Sequence, residues 1–180
     1  MRPEPRVAPT SAAAVGAGRA SLLFGAVVAA AAAYVWWSAA SLPAIVASHF
    51  GPDGTGNGAM PRAEYVAFML GLVVVVPALL YLLGGLATRL PVRMINVPNR
   101  GYWLAPERRA ATLASFGRFG LWASYATLAL LCAVHWLVVR ANAAQPAQLE
   151  LAPLIGLVSL YLLTLFVAMT IVLARFLRAP

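Results

Sequence analysis

The chain has no lysine; all 13 of its basic residues are arginine. It has 5 acidic residues, two histidines and a single cysteine, Cys132. One cysteine excludes an intrachain disulfide and leaves the redox compartment unread. Only 10% of the residues are charged, against about 25% in a typical soluble domain. No acidic residue lies deep in any long apolar run. Ion-coupled transporters and proton relays usually need one, so a transporter acting alone is disfavoured. There is no HExxH motif, and no nucleophile with a nearby base and orienting acid. These absences predict a non-enzymatic protein that needs no cofactor.

What is present is hydrophobic. Such residues make up 62% of the chain, and the mean hydropathy is +0.83. They fall in uninterrupted runs, which means membrane spans rather than one large core. At 180 residues there is room for one bundle and no separate soluble domain. The predicted fold is all-α: a polytopic membrane protein with four transmembrane helices in two hairpins. The net charge of +8 could suggest nucleic acid. The arginines lie at the ends of apolar runs, however, which is the pattern of a membrane protein, so no nucleic-acid partner is predicted.

Residues 1–20 hold Pro3, Pro5 and Pro9 among small residues and are expected to be a disordered tail. A single four-helix domain is expected over 21–176, with spans at 21–41, 65–87, 119–138 and 153–174. In the first span Gly25, Ala29 and Ala33 recur at four-residue spacing, a pattern that allows close helix packing. A cleaved leader is the competing reading of this segment. Its apolar run is long for a leader, and Trp36 and Trp37 favour a retained interfacial end. Leu42-Pro43 should stop the first helix. Residues 42–64 form an outer connection dense in turn formers, and Asn57-Gly58 predicts a turn with positive φ. Pro77 should kink the second span. Pro106 and Glu107 open a third helix that starts before the membrane does, and residues 88–112 are the central loop.

Orientation follows from charge. Arg2, Arg6, Arg19, Arg89, Arg93, Arg100, Arg108, Arg109, Arg118, Arg175 and Arg178 group on one side, and only Arg62 and Arg140 on the other. Arginine-rich segments stay cytoplasmic, so both termini are expected inside and residues 42–64 outside. The reverse would carry several guanidiniums across hydrocarbon at roughly 3 kcal/mol each.

Two polar groupings could carry chemistry. Asp53-Gly54-Thr55-Gly56-Asn57-Gly58, with Glu64 twelfth, echoes a calcium loop, but Thr55 and Pro61 fill ligand positions poorly. A turn-rich connector explains it better. No recognised transition-metal spacing occurs, and the residues nearest to one are His49, Cys132 and His135. The two histidines are more simply interfacial or hydrogen-bonded to neighbours. Ser124, Tyr125, Thr127, Cys132 and His135 make the third span the most polar, and should face the bundle.

The central loop offers Asn96, Pro98, Asn99, Arg100, Tyr102, Trp103, Glu107 and Arg108 as a docking surface for a cytoplasmic regulator or for anionic lipid headgroups. Topology alone would explain Arg93, Arg108 and Arg109, and interface anchoring would explain Tyr102 and Trp103. Asn96 to Tyr102 carry more turn chemistry than topology requires.

Leu42-Pro43, Ser48-His49-Phe50, Asn57-Gly58 and Arg62 resemble the outer hairpin of a bacterial membrane domain of unknown function. That domain also forms the first part of SdpI-type toxin-immunity and signalling proteins. Ile95-Asn96-Val97-Pro98-Asn99-Arg100 and Tyr102-Trp103-Leu104-Ala105-Pro106-Glu107-Arg108-Arg109 resemble the cytoplasmic loop of a shorter branch of that family. The resemblance covers residues 42–109. It implies a multi-pass protein of the bacterial inner membrane that acts in envelope sensing, immunity or signalling. His49, Phe50, Asn57, Gly58 and Arg62 would form the sensing side. The alternative is a small transporter or channel component working as a homo-oligomer.

Overall fold

Four helices are long and apolar enough to cross a membrane. In the computed structural model, residues 11–178 are described, with side chains from residue 18. Helix α1 covers Ser11–Ser38, α2 Arg62–Ala87, α4 Pro106–Asn142 and α5 Leu151–Leu177, with a short α3 at Arg100–Trp103. The expected spans at 65–87 and 153–174 fall inside α2 and α5. The expected early start of the third helix is also present, with Pro106 in the first turn of α4 and Glu107 beside it. At 37 residues, α4 is about 55 Å long.

The tail differs from expectation. α1 begins at Ser11, so residues 11–20 are helical rather than disordered. Ala12, Ala13 and Ala14 favour helix strongly enough to extend it beyond the apolar run. Residues 1–10 of the expected tail lie outside the described residues. The far end behaves as expected: α1 stops at Ser38, and a 3₁₀ turn over Ala39–Ser41 leads to an extended Leu42 before Pro43. α2 continues through Pro77, which is buried.

The all-α expectation needs correction. Strands β1 (Ile45–Phe50) and β2 (Gly56–Pro61) pair antiparallel in a two-stranded sheet. Ile45, Val46 and Phe50 are the β-branched and aromatic types that favour strand. The turn also lies elsewhere than expected. Asn57 and Gly58 sit inside β2, where Gly58 pairs with His49. The positive φ is at Gly54 (+82°). Asp53 fixes that turn, because its Oδ1 accepts both the backbone N–H (3.0 Å) and the hydroxyl (2.7 Å) of Thr55.

The packing of the helices is also not that of two simple hairpins. α2 makes its most extensive contact with α4. The main core joins α1, α2, α4 and the hairpin through Val35, Val46, Tyr65, Val73, Leu128 and Val138. Near the hairpin α5 joins a second, smaller cluster, in which Leu154 and Leu157 pack with Leu137 and Ala141 of α4 and Phe50 of β1. The close packing that the Gly25 spacing allows is not made at Gly25, since a Cβ there would meet nothing within 4 Å. Close approach occurs instead between α2 and α4. A Cβ on Gly84 would lie 2.8 Å from the Gly120 Cα, and one on Gly120 2.7 Å from the Gly84 Cα. Only glycine lets two helix backbones meet this closely.

Candidate functional site

At one end of the bundle the hairpin is tied down by the two segments that flank it in space. The Asn142 side chain, at the end of α4, reaches Ala47 in β1. Its Oδ1 accepts the Ala47 N–H at 2.8 Å, and its Nδ2 donates to the Ala47 carbonyl at 3.0 Å. The ladder shifts register between Ala47 and His49. An amide side chain there supplies the donor and acceptor that a neighbouring strand would. The α4–α5 link completes the clasp. Leu149 N–H donates to Gly54 O, and Gly56 N–H to Ala147 O. The Gln148 amide donates to Asp53 O. Leu149 backbone leaves no room for a Cβ at Gly54, so both positive φ and close approach require glycine there. Arg62 holds the other root of the hairpin, donating to Leu42 O at 2.9 Å.

Asp53, exposed in the hairpin turn, is held below the usual carboxylate range by the hydroxyl and backbone bonds from Thr55. The calcium-loop reading fails on geometry. β2 carries residues 56–61 away as a strand, and Glu64 falls in the first turn of α2. The histidines are not brought together either. His49 is exposed, and its Nδ1 lies 3.1 Å from the Ser48 hydroxyl. Cys132 is half-buried against the main core. Among the described residues no three His, Cys, Asp or Glu side chains form a set that could hold a metal.

His135 is instead the polar hub of three helices. It is fully buried. Its Nε2 lies 2.8 Å from Ser38 Oγ of α1, and its Nδ1 lies 2.9 Å from the Tyr65 hydroxyl of α2. The partners assign the tautomer. Ser38 donates its one proton to the Tyr34 carbonyl at 2.7 Å, so its oxygen accepts from Nε2–H. Nδ1 then accepts from Tyr65. The Tyr65 ring stacks on the imidazole, and the Tyr34 ring meets it edge-on. Thr127 likewise faces the bundle and bonds to the Tyr161 hydroxyl of α5 at 2.8 Å. Ser124 is buried but donates to Gly120 O of its own helix rather than to another. Among the described residues no buried side-chain nitrogen or oxygen lacks a partner.

At the opposite end the central loop closes over the last turn of α5. Asn99 adopts the left-handed conformation (φ 52°, ψ 43°), which asparagine tolerates better than most residues. Its amide donates to the carbonyls of Phe176 (2.9 Å) and Leu177 (3.2 Å). The Trp103 indole N–H donates to Phe176 O at 3.0 Å. The carbonyls left over at a helix C-terminus are thereby satisfied. Trp103 also packs edge-on against Phe176, and the Arg175 guanidinium lies over its ring. Thr112 Oγ1 of α4 donates to Trp103 O at 2.9 Å.

The expected docking set therefore divides. Asn99, Trp103 and the half-buried Tyr102, covered by Arg108, are committed to the fold. Arg100 donates to Val92 O, and Pro98 is half-buried. Asn96, Glu107 and Arg108 are exposed. Sequence reasoning missed Asn142 and the paired glycines Gly84 and Gly120. The available signals were a lone amide at a span end and small residues on two neighbouring spans.

Comparison with protein-family models, curated proteins and solved structures finds no match to this chain.

Proposed function

We propose that this is a non-enzymatic, multi-pass protein of the bacterial inner membrane that senses at its hairpin end and relays to its loop end, in envelope sensing, immunity or signalling. Both termini and the central loop face the cytoplasm in this reading, because ten of the thirteen arginines belong to those segments and Arg118 lies just beyond the loop. The hairpin then faces outward, and a cytoplasmic regulator meets Asn96, Glu107 and Arg108.

The observation that carries the reading is the continuity of α4. One helix clasps the hairpin through Asn142 and holds the loop through Thr112. These two residues are 30 positions apart, or roughly 45 Å along a helix axis. A force on the hairpin therefore has a stiff path to the loop, and His135 couples that path to α1 and α2. The resemblance of residues 42–109 to the short, SdpI-related branch of membrane domains is a further motive for this reading.

The test is a deletion strain complemented with wild type or with Asn142→Ala. The reading expects altered susceptibility to extracellular peptide toxins on deletion. Wild type should restore it, and Asn142→Ala, inserted at the same level, should not. Altered solute flux with unchanged toxin susceptibility would favour the oligomeric transporter or channel instead.

A further inference from the structure

A groove of about 590 Å³ opens between α2 and α4 at the loop end, with Ala20 of α1 at its edge. Its walls are mostly apolar, formed by residues such as Leu82, Leu86 and Leu121, and Arg89 and Arg118 also line it. No acidic side chain lines it. Among the described residues the only salt bridge is Arg140–Glu150, at the other end of the molecule, so neither arginine has an ionic partner there. Tyr81 is fixed in the wall by stacking on Phe24 (4.6 Å) and by its 2.7 Å hydroxyl contact with Ser21. Arg118 lies twelve residues into α4, just before the expected span at 119–138, which puts it at headgroup level.

We propose that this groove binds one anionic phospholipid of the leaflet at the loop end. Arg89 and Arg118 take the headgroup phosphate, and an acyl chain lies along the leucine wall. Charge complementarity selects this occupant. A second protein helix would meet two cations that have no ionic partner among the described residues, whereas a phosphate neutralises them and is bound by guanidinium with good geometry. Basic pockets between helices at a membrane surface are suited to anionic headgroups. The inference rests on the helices spanning a membrane and not on the signalling reading.

Native mass spectrometry of the full chain in detergent tests it, with phosphatidylglycerol and phosphatidylcholine of matched acyl chains at equal concentration. Wild type is expected to retain one phosphatidylglycerol in preference to phosphatidylcholine. The double variant Arg89→Gln/Arg118→Gln should weaken that retention about tenfold, the loss expected for broken charge-assisted contacts. Arg93→Gln/Arg109→Gln, which removes equal charge outside the groove, should not. Gly85→Leu gives an independent arm. Gly85 lines the groove and a Cβ there meets nothing within 4 Å, so leucine fills the groove while both arginines remain, and retention should fall. Four results overturn the proposal: equal retention of the two lipids, equal loss in the Arg93/Arg109 variant, undiminished retention in Gly85→Leu, or displacement by inorganic phosphate at the lipid's concentration.

Discussion

The Asn142 side chain pairs with the backbone of Ala47 as a strand would, accepting its N–H and donating to its carbonyl. Two residues 95 positions apart thus join the end of the longest helix to the bend in the hairpin. Replacing Asn142 by alanine leaves both Ala47 groups without that partner. The expected cost is about 1–3 kcal/mol, the penalty of stranding part-buried polar groups. Hydrogen exchange should show lost protection over residues 45–50. Unchanged exchange there would mean that the chain backbone alone holds the hairpin.

His135 makes a sharper energetic prediction. His135→Phe keeps an aromatic ring but strands the Tyr65 hydroxyl, and Tyr65→Phe strands Nδ1. Each single change should destabilise the bundle by about 1–3 kcal/mol. The double variant leaves neither group of that pair stranded, so it should cost less than the sum, with a coupling of about 0.5–3 kcal/mol. Thermal unfolding of the four proteins in one detergent measures this. Strict additivity would contradict the hub.

The Gly84–Gly120 crossing sets the spacing of α2 and α4. Gly120→Ala places a methyl 2.7 Å from the Gly84 Cα. Overpacking of this kind costs about 1–3 kcal/mol. Gly25→Ala, with open space around the new methyl, should cost nothing and serves as the control in the same unfolding assay.

Asn99 separates backbone from side chain. Asn99→Gly keeps the left-handed backbone free of strain but removes the cap on α5. Asn99→Ala removes the cap and adds about 1–2 kcal/mol of strain. Both should increase exchange at the last turn of α5, and the alanine variant should be the less stable. Equal stability would show that the backbone at Asn99 relaxes.

Asp53 gives a pH dependence. Its folded pKa is lowered by the bonds from Thr55, so its contribution is present above the unfolded value of about 3.9 and is lost as pH falls through the folded value. Thr55→Val removes the hydroxyl bond, and an NMR titration should then find the Asp53 pKa higher than in wild type. The hairpin of the variant should loosen at a higher pH.

Much of this architecture was legible in the sequence for a simple reason. The spans are long uninterrupted apolar runs, and Pro106-Glu107 carries a local helix-start signature. Local signals misled in the hairpin. Asn57-Gly58 has the composition of a turn, yet Asp53, Gly54 and Thr55 form the better-bonded one, and pairing with β1, which carries Ile45 and Val46, takes Asn57-Gly58 into a strand. The run Asn99 to Trp103 resisted explanation because its partners, Phe176 and Leu177, lie more than 70 positions away. A cap of that kind has no periodicity to betray it. Gly84 and Gly120 were likewise unreadable as a pair, since nothing in either span says which other span it meets.

A sensing hairpin and a relay loop must lie on opposite sides of a membrane. Cys132 is the only cysteine, so Cys132→Ser gives a background in which Thr55→Cys and Asn96→Cys can each be probed alone. Labelling of intact cells with a membrane-impermeant maleimide is the direct measurement. The account predicts that the Thr55→Cys variant is labelled in intact cells and that the Asn96→Cys variant is labelled only after lysis. Labelling of the Asn96→Cys variant in intact cells, or protection of the Thr55→Cys variant until lysis, would contradict it.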